Sequence, residues 1–188
     1  MSERNTVVRS MHDLGLAAWF GGALMGAVAL NGAAAAEGDT RDSADRIASA
    51  GWTRWAPVNL VAIGVHMVGT GGLLAVNAAR VPLQQGLAAS TVAKTACTAA
   101  ALATTAWAGV LGAKVRLATS NDPRERDKAA DHPVDLDRAR RQLRCAQWAV
   151  PAFTGTLVVL NALHGEQQRP MEQLRGTLRR AAGQLPWT

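Results

Sequence analysis

The amino-acid sequence predicts an all-α fold, an integral membrane four-helix bundle with both termini on the same side. Two observations lead to this prediction. Charged residues make up 18% of the 188 residues, against about 25% in typical soluble domains. They are also absent from four windows of 19 to 25 residues, and a transmembrane helix needs about 20 consecutive, mostly apolar residues. The windows are Leu14–Ala36, Trp55–Ala79, Thr95–Ala113 and Cys145–Gly165.

The first two spans are placed at residues 11–36 and 56–79 of a single membrane domain that covers residues 1–188. The first span lacks the short apolar core and cleavage site of a signal peptide, so we expect it to remain as an anchor. Tryptophans near one predicted interface are typical of an aromatic belt. These residues are Trp52, Trp55, Trp107 and Trp148.

The last two spans are placed at residues 88–113 and 145–165. The third is the least apolar because several threonines interrupt it, and Lys94 is expected to extend its amine towards the headgroups. A charged linker, residues 114–144, precedes the fourth span. From Asp135 onward, apolar residues recur at helical spacing, which predicts that the fourth helix starts within this linker.

Four spans place both termini on one side and the linkers 37–54 and 114–144 on the other. These two linkers contain 12 of the 20 Lys and Arg residues, and the positive-inside rule therefore places them in the cytoplasm. The excess of Arg over Lys and the abundant Ala are typical of a bacterial protein, so we expect a multi-pass plasma-membrane protein. Residues 169–186 alternate Arg with apolar residues at helical spacing. They predict either a basic amphipathic helix on the membrane surface or a solvated tail.

Small and polar residues form stripes on the first two predicted helices. Gly22 and Gly26 have the spacing that allows another helix backbone to approach closely. On the second helix, polar residues separated by 7, 4 and 7 positions share one face, which is expected to contact protein or a water-filled cavity. These residues are Asn59, His66, Thr70 and Asn77.

Three histidines are candidate cofactor ligands. His66 lies near the middle of its window, which predicts a position at the centre of the bilayer, level with threonines of the third and fourth helices. It is either a hydrogen-bonded packing residue, a cofactor ligand or part of a proton path. His12 and His164 lie at matching ends of the first and fourth spans. They could ligate a haem iron or, with Asp13 and Glu166, a divalent metal; alternatively they are simply hydrated.

The first helix contains the segment His12-Asp-Leu-Gly-Leu-Ala-Ala-Trp19-Phe-Gly-Gly22. This segment resembles the first helix of the copper-resistance D-like membrane proteins and of the four-helix protoporphyrinogen oxidases. The second resemblance implies association with haem b and a redox role, with the family's histidine corresponding to His12. The chain as a whole resembles a small bacterial membrane family with the same four-helix plan, a resemblance that implies no activity.

The leading functional hypothesis is a structural or accessory role, as a small subunit or assembly factor of a membrane complex. The sequence has no nucleophile–base pair, phosphate-binding loop or cluster of intramembrane acids that would favour an enzyme, and this hypothesis needs no cofactor. Expected partners are the lipid bilayer and other membrane subunits or a second copy, and not nucleic acid. The alternatives are a haem- or metal-binding redox protein that uses His12, His66 and His164, and a small transporter with a water path along His66.

Overall fold

The structure, a computed structural model, describes residues 3–77 and 85–183, with side chains described for residues 6–75 and 91–163. All regular elements in these ranges are helical, which confirms the all-α prediction. The first helix has three parts: α1 (Glu3–Met25), a π-helical segment (Gly26–Leu30) and α2 (Asn31–Glu37). The remaining helices are α3 (Arg41–Asn77), α4 (Gln85–Thr119), α5 (Pro123–Ala130) and α6 (Leu136–Gly183).

Four helices in the described ranges are long and apolar enough to cross a membrane, as predicted. The segments that meet this criterion of length and composition are Thr6–Glu37, Arg41–Ala75, Thr91–Thr119 and Leu136–Leu163. Many large apolar side chains on the outer faces of these helices are exposed, including Leu60 at 71% and Val68 at 63%. The helices therefore carry apolar residues on their outward faces as well as towards one another.

The helices extend beyond the predicted spans at the end of the bundle where α2 meets α3. Most of the predicted linker 37–54 is helical, because only Gly38, Asp39 and Thr40 separate α2 from α3. Polar residues of this segment form helix since their side chains bond to neighbouring helices. Arg46, for example, donates a hydrogen bond to the carbonyl oxygen of Thr119 over 3.3 Å.

The linker 114–144 also contains more helix than predicted. Helix α4 continues to Thr119, and α6 begins at Leu136, as the apolar spacing after Asp135 predicted. Between them, Asp122 caps α5 by accepting a hydrogen bond from the backbone N–H of Arg124 over 2.9 Å. Helix α5 is attached to α4 by an ion pair between Glu125 and Arg116.

The remaining predicted segments lie partly outside the described residues. The turn between the second and third spans falls largely on residues 78–84, which lie outside them. The predicted tail, residues 169–186, belongs as far as residue 183 to the unbroken helix α6.

The helices pack as two pairs. Helix α1 packs chiefly on α3 and α4 on α6, and the pairs meet mainly through α1 and α6, whereas α3 and α4 have little contact. The central core contains Leu16, Trp19, Ala23, Ala101, Val150 and Leu157. A smaller cluster of Leu111, Val115 and Ala139 joins the end of α4 to the start of α6. The weak α3–α4 contact leaves a gap in the bundle.

Candidate functional site

Two glycines bring the middle of α1 into backbone contact with the last third of α3. A Cβ atom added to Gly15 would lie 2.5 Å from the backbone nitrogen of His66, and one added to Gly69 would clash with the backbone of His12. Only glycine leaves room for this approach. It places the two histidines of different helices beside each other, and we call this region the histidine end of the α1–α3 pair.

The imidazole rings of His12 and His66 are 4.4 Å apart between centroids and tilted by 43°. Nδ1 of His66 lies 3.0 Å from the carbonyl oxygen of His12. Since a carbonyl only accepts, Nδ1 of His66 carries the proton, and Nε2 is left with its lone pair. Nδ1 of His12 lies 2.9 Å from the Asp13 carboxylate, so the same reasoning leaves Nε2 of His12 unprotonated in the neutral ring. The His66 residue is only 2% exposed.

The structure sets His66 against α1, and its predicted position at the centre of the bilayer stays a prediction. Gly15 and the carbonyl of His12 face His66, so it lies level with the beginning of the uncharged window on α1 and not with its middle. The reason is an offset between antiparallel helices: the centre of the α3 window lies opposite the start of the α1 window. The threonines bond elsewhere, Thr105 accepting from Trp19 Nε1 over 3.2 Å and Thr154 donating to its own helix.

The other predicted ligand, His164, lies in α6, and its side chain is outside those described, as are the side chains of Asn77 and Glu166. The pairing of His12 with His164 therefore remains a prediction. Within the described residues, no group of three or more His, Cys, Asp and Glu side chains is placed to hold a metal ion.

At the opposite end of the α1–α3 pair, Gly22 and Gly26 do not receive a helix backbone, and the prediction of close backbone approach there was wrong. A Cβ atom on Gly22 would overlap the indole of Trp55, and one on Gly26 would overlap the indole of Trp52. These two tryptophans therefore turn inward and not towards an aromatic belt. Of the predicted belt, Trp107 and Trp148 are half-exposed.

A hydrogen-bonded chain continues from these indoles across the bundle. Trp52 Nε1 donates to Asn31 Oδ1 over 3.0 Å, and Asn31 Nδ2 donates to Gln147 Oε1 over 2.9 Å. Asn31 directly follows the π-helical segment, and the wider turn of a π-helix changes which way the following side chains face. Trp55 Nε1 and Asn59 Oδ1 are buried atoms that have no hydrogen-bond partner.

Both unpartnered atoms belong to residues that line a cleft of about 1280 Å³ between the α1–α3 pair and the α4–α6 pair. Its walls are formed by the two inward tryptophans and by small residues of α1 and α4, including Ala27, Gly109 and Gly112. Small residues leave the space open because they have no side chain to fill it. We call this region the cleft.

Five arginines and two aspartates line the cleft towards the ends of α3, α4 and α6; they are Arg41, Arg116, Arg140, Arg141, Arg144, Asp45 and Asp137. Arg140 is neutralised by ion pairs with Asp42 and Asp45. Among the residues whose side chains are described, neither Arg141 nor Arg144 forms an ion pair with an acid. We call Arg141 and Arg144 the arginine mouth of the cleft. This region carries excess positive charge.

The cleft was not predicted from the sequence, although the sequence contains two features that belong to it. The polar stripe of α3 includes Asn59, one of the unpartnered groups, and the arginines before the fourth span were interpreted only as a topology signal. A cleft depends on how far apart helices lie, which residue spacing within one helix does not specify. Comparison with protein-family models, curated proteins and solved structures finds no match for this chain.

Proposed function

We propose that this chain is a multi-pass protein of the bacterial plasma membrane that has an accessory role and binds another membrane component in its cleft. Four helices long and apolar enough to span a membrane support the location. The exposed apolar side chains, such as Leu60 and Val68, support it as well, because a bilayer would cover them. The proposed cytoplasmic side is the one that carries the arginine mouth, in agreement with the positive-inside rule.

The observation that carries the binding role is the arginine mouth of the cleft. Arg141 and Arg144 line the cleft and form no ion pair with any acid whose side chain is described, although Arg140 beside them pairs with two aspartates. Guanidinium groups without an acidic partner bind anionic groups through charge-assisted hydrogen bonds. The cleft is thus a surface suited to an occupant that brings negative charge.

The first experiment asks whether the chain is embedded in the membrane. Cells that express it are lysed, and the membranes are washed with alkaline carbonate. We expect the chain to stay in the membrane pellet and to be released by detergent alone. Release without detergent would remove both the membrane location and the accessory role that depends on it.

The second experiment tests the cleft. A photo-crosslinking amino acid is introduced at Gly109, which lines the cleft, and as a matched control at Val110, which is 47% exposed and is not among the cleft-lining residues. We expect one adduct of discrete mass from position 109 that is absent from position 110. The same adducts from both positions would mean that the cleft has no specific occupant.

A second candidate function, metal binding, is favoured by the histidine end. Ligating histidines donate their second ring N–H to a carbonyl or carboxylate, and both Nδ1 atoms have such a partner here. The ring separation of 4.4 Å does not fit two axial ligands of one haem, whose ring centres would be about 6 Å apart for metal–nitrogen bonds of about 2 Å. The pair fits two neighbouring ligands of a single divalent transition metal better.

Metal binding is tested by isothermal titration of the detergent-purified chain with Cu²⁺ and Zn²⁺. Stoichiometric binding that is lost in His12→Ala and kept in His132→Ala, which alters an exposed histidine, would support the site. Binding that both variants retain would exclude His12 as a ligand. The transporter hypothesis would require water at His66, a residue that is 2% exposed.

A further inference from the structure

We infer that the occupant of the cleft is an anionic phospholipid, with its phosphate at Arg141 and Arg144 and its acyl chains along the tryptophan wall. This inference rests on the proposed function, because it names the membrane component that the cleft binds. Two features of the cleft support it: the charge at its mouth and its apolar lining further in.

The charge of the arginine mouth is suited to a phosphate group. Arg140 and Arg116 are held by acids of the chain itself, whereas Arg141 and Arg144 line the cleft and make no ion pair with any acid whose side chain is described. Guanidinium groups bind phosphate oxygens through charge-assisted, often bidentate hydrogen bonds. The two residues are three positions apart on α6, so they lie within one turn of each other.

The lining of the cleft is suited to acyl chains. Beyond the arginine mouth its walls are the two inward tryptophans and small residues of α1 and α4, including Ala27, Gly109 and Gly112. The lining residues of α3 run from Arg41 to Ile63, about 33 Å along a helix at 1.5 Å per residue. The cleft thus leads from charged residues at one end to mainly apolar residues further in, along which acyl chains can lie.

The test is native mass spectrometry of the detergent-purified full chain, titrated with phosphatidylglycerol and with phosphatidylcholine of the same acyl chains. We expect one phosphatidylglycerol per chain, bound several-fold more tightly than phosphatidylcholine. The double variant Arg141→Gln/Arg144→Gln should lower the affinity for phosphatidylglycerol about 25-fold, since each basic residue near an anionic lipid contributes on the order of a factor of five. It should lower the affinity for phosphatidylcholine much less, because the choline cation of that lipid offsets the charge of its phosphate.

The matched control is Arg126→Gln/Arg138→Gln. It removes the same charge from two exposed arginines that do not line the cleft, and the lipid preference should remain.

Equal affinity of the wild-type chain for the two lipids would overturn the inference, and so would an equal effect of the two double-arginine variants. The crosslinking at position 109 distinguishes a failure of the lipid inference from a failure of the proposed binding role. A discrete protein adduct at that position, with no lipid preference, would show a partner subunit or a second copy in the cleft. No specific adduct would remove the binding role itself.

Discussion

The two ends of the α1–α3 pair use the same kind of residue for opposite purposes. At the histidine end, Gly15 allows the backbones of α1 and α3 to touch, and the structure there is closed. At the cleft end, Gly22 and Gly26 form notches that receive the indoles of Trp55 and Trp52. Glycines on one helix face thus predict that something approaches closely, while the residue on the partner helix decides whether that is a backbone or a ring.

This difference has consequences for the rest of the bundle. Backbone contact holds α1 and α3 together at the histidine end, whereas indoles turned inward leave one N–H bonded across the bundle and another without a partner. The closed end is therefore suited to stability and to fixing two histidines in place, and the open end to binding a larger occupant. Substitutions of the glycines test this division.

The largest effect is expected for Gly15→Ala. Its Cβ atom would lie 2.5 Å from the backbone nitrogen of His66, and since a backbone cannot rotate away as a side chain can, the helices must separate. We expect a loss of about 3 kcal/mol in the free energy of unfolding, at the upper end for overpacked sites. Thermal unfolding in detergent measures it.

Gly21→Ala is the matched control on the same helix, because nothing lies within 4 Å of a Cβ atom at that position. It should be neutral or slightly stabilising, since alanine favours a helix more than glycine does. If Gly15→Ala unfolded at the same temperature as Gly21→Ala, the close contact at the histidine end would be absent.

A smaller and rescuable effect is expected for Gly22→Ala. The three atoms nearest the added methyl all belong to the ring of Trp55, a side chain that can shift, so the cost should be about 1–2 kcal/mol. In a Trp55→Ala background this cost should fall towards zero. A double-mutant cycle by thermal unfolding measures the coupling between the two positions. Additive effects would show that the indole does not occupy the notch.

The smallest effect concerns pH and the loop beyond the cleft. Hydrogen bonds from Ser120 and Arg116 lower the pKa of the Glu125 carboxyl below its ordinary value. A carboxyl with a depressed pKa stabilises the folded state above its unfolded pKa, and this stabilisation is lost as the pH falls through the folded value. We expect amide hydrogen exchange in α5 to accelerate under acidic conditions, relative to the intrinsic exchange rate at each pH. Glu125→Gln should abolish that dependence, and a profile unchanged by this substitution would remove Glu125 as its source.

Several parts of this structure could be predicted from sequence and others could not. The four apolar helices follow from the uncharged windows, and the start of α6 follows from the apolar spacing after Asp135. The depth of His66 could not be predicted, because it depends on how far α3 is shifted along α1. The cleft could not be predicted either, since α3 and α4 are each compatible with a closed bundle and only their separation opens it.

The sequence by itself determined that this chain is built of long apolar helices, because the absence of charge over some 20 residues is a local property that no neighbour alters. It also determined which residues are small, polar or basic on each helix. Only the tertiary structure decided that His12 lies beside His66, that two tryptophans enter the notches of α1, and that two arginines of α6 are left without an acidic partner among the described side chains. The physical reason is that offset and distance between helices result from many contacts acting together, and no single helix records them.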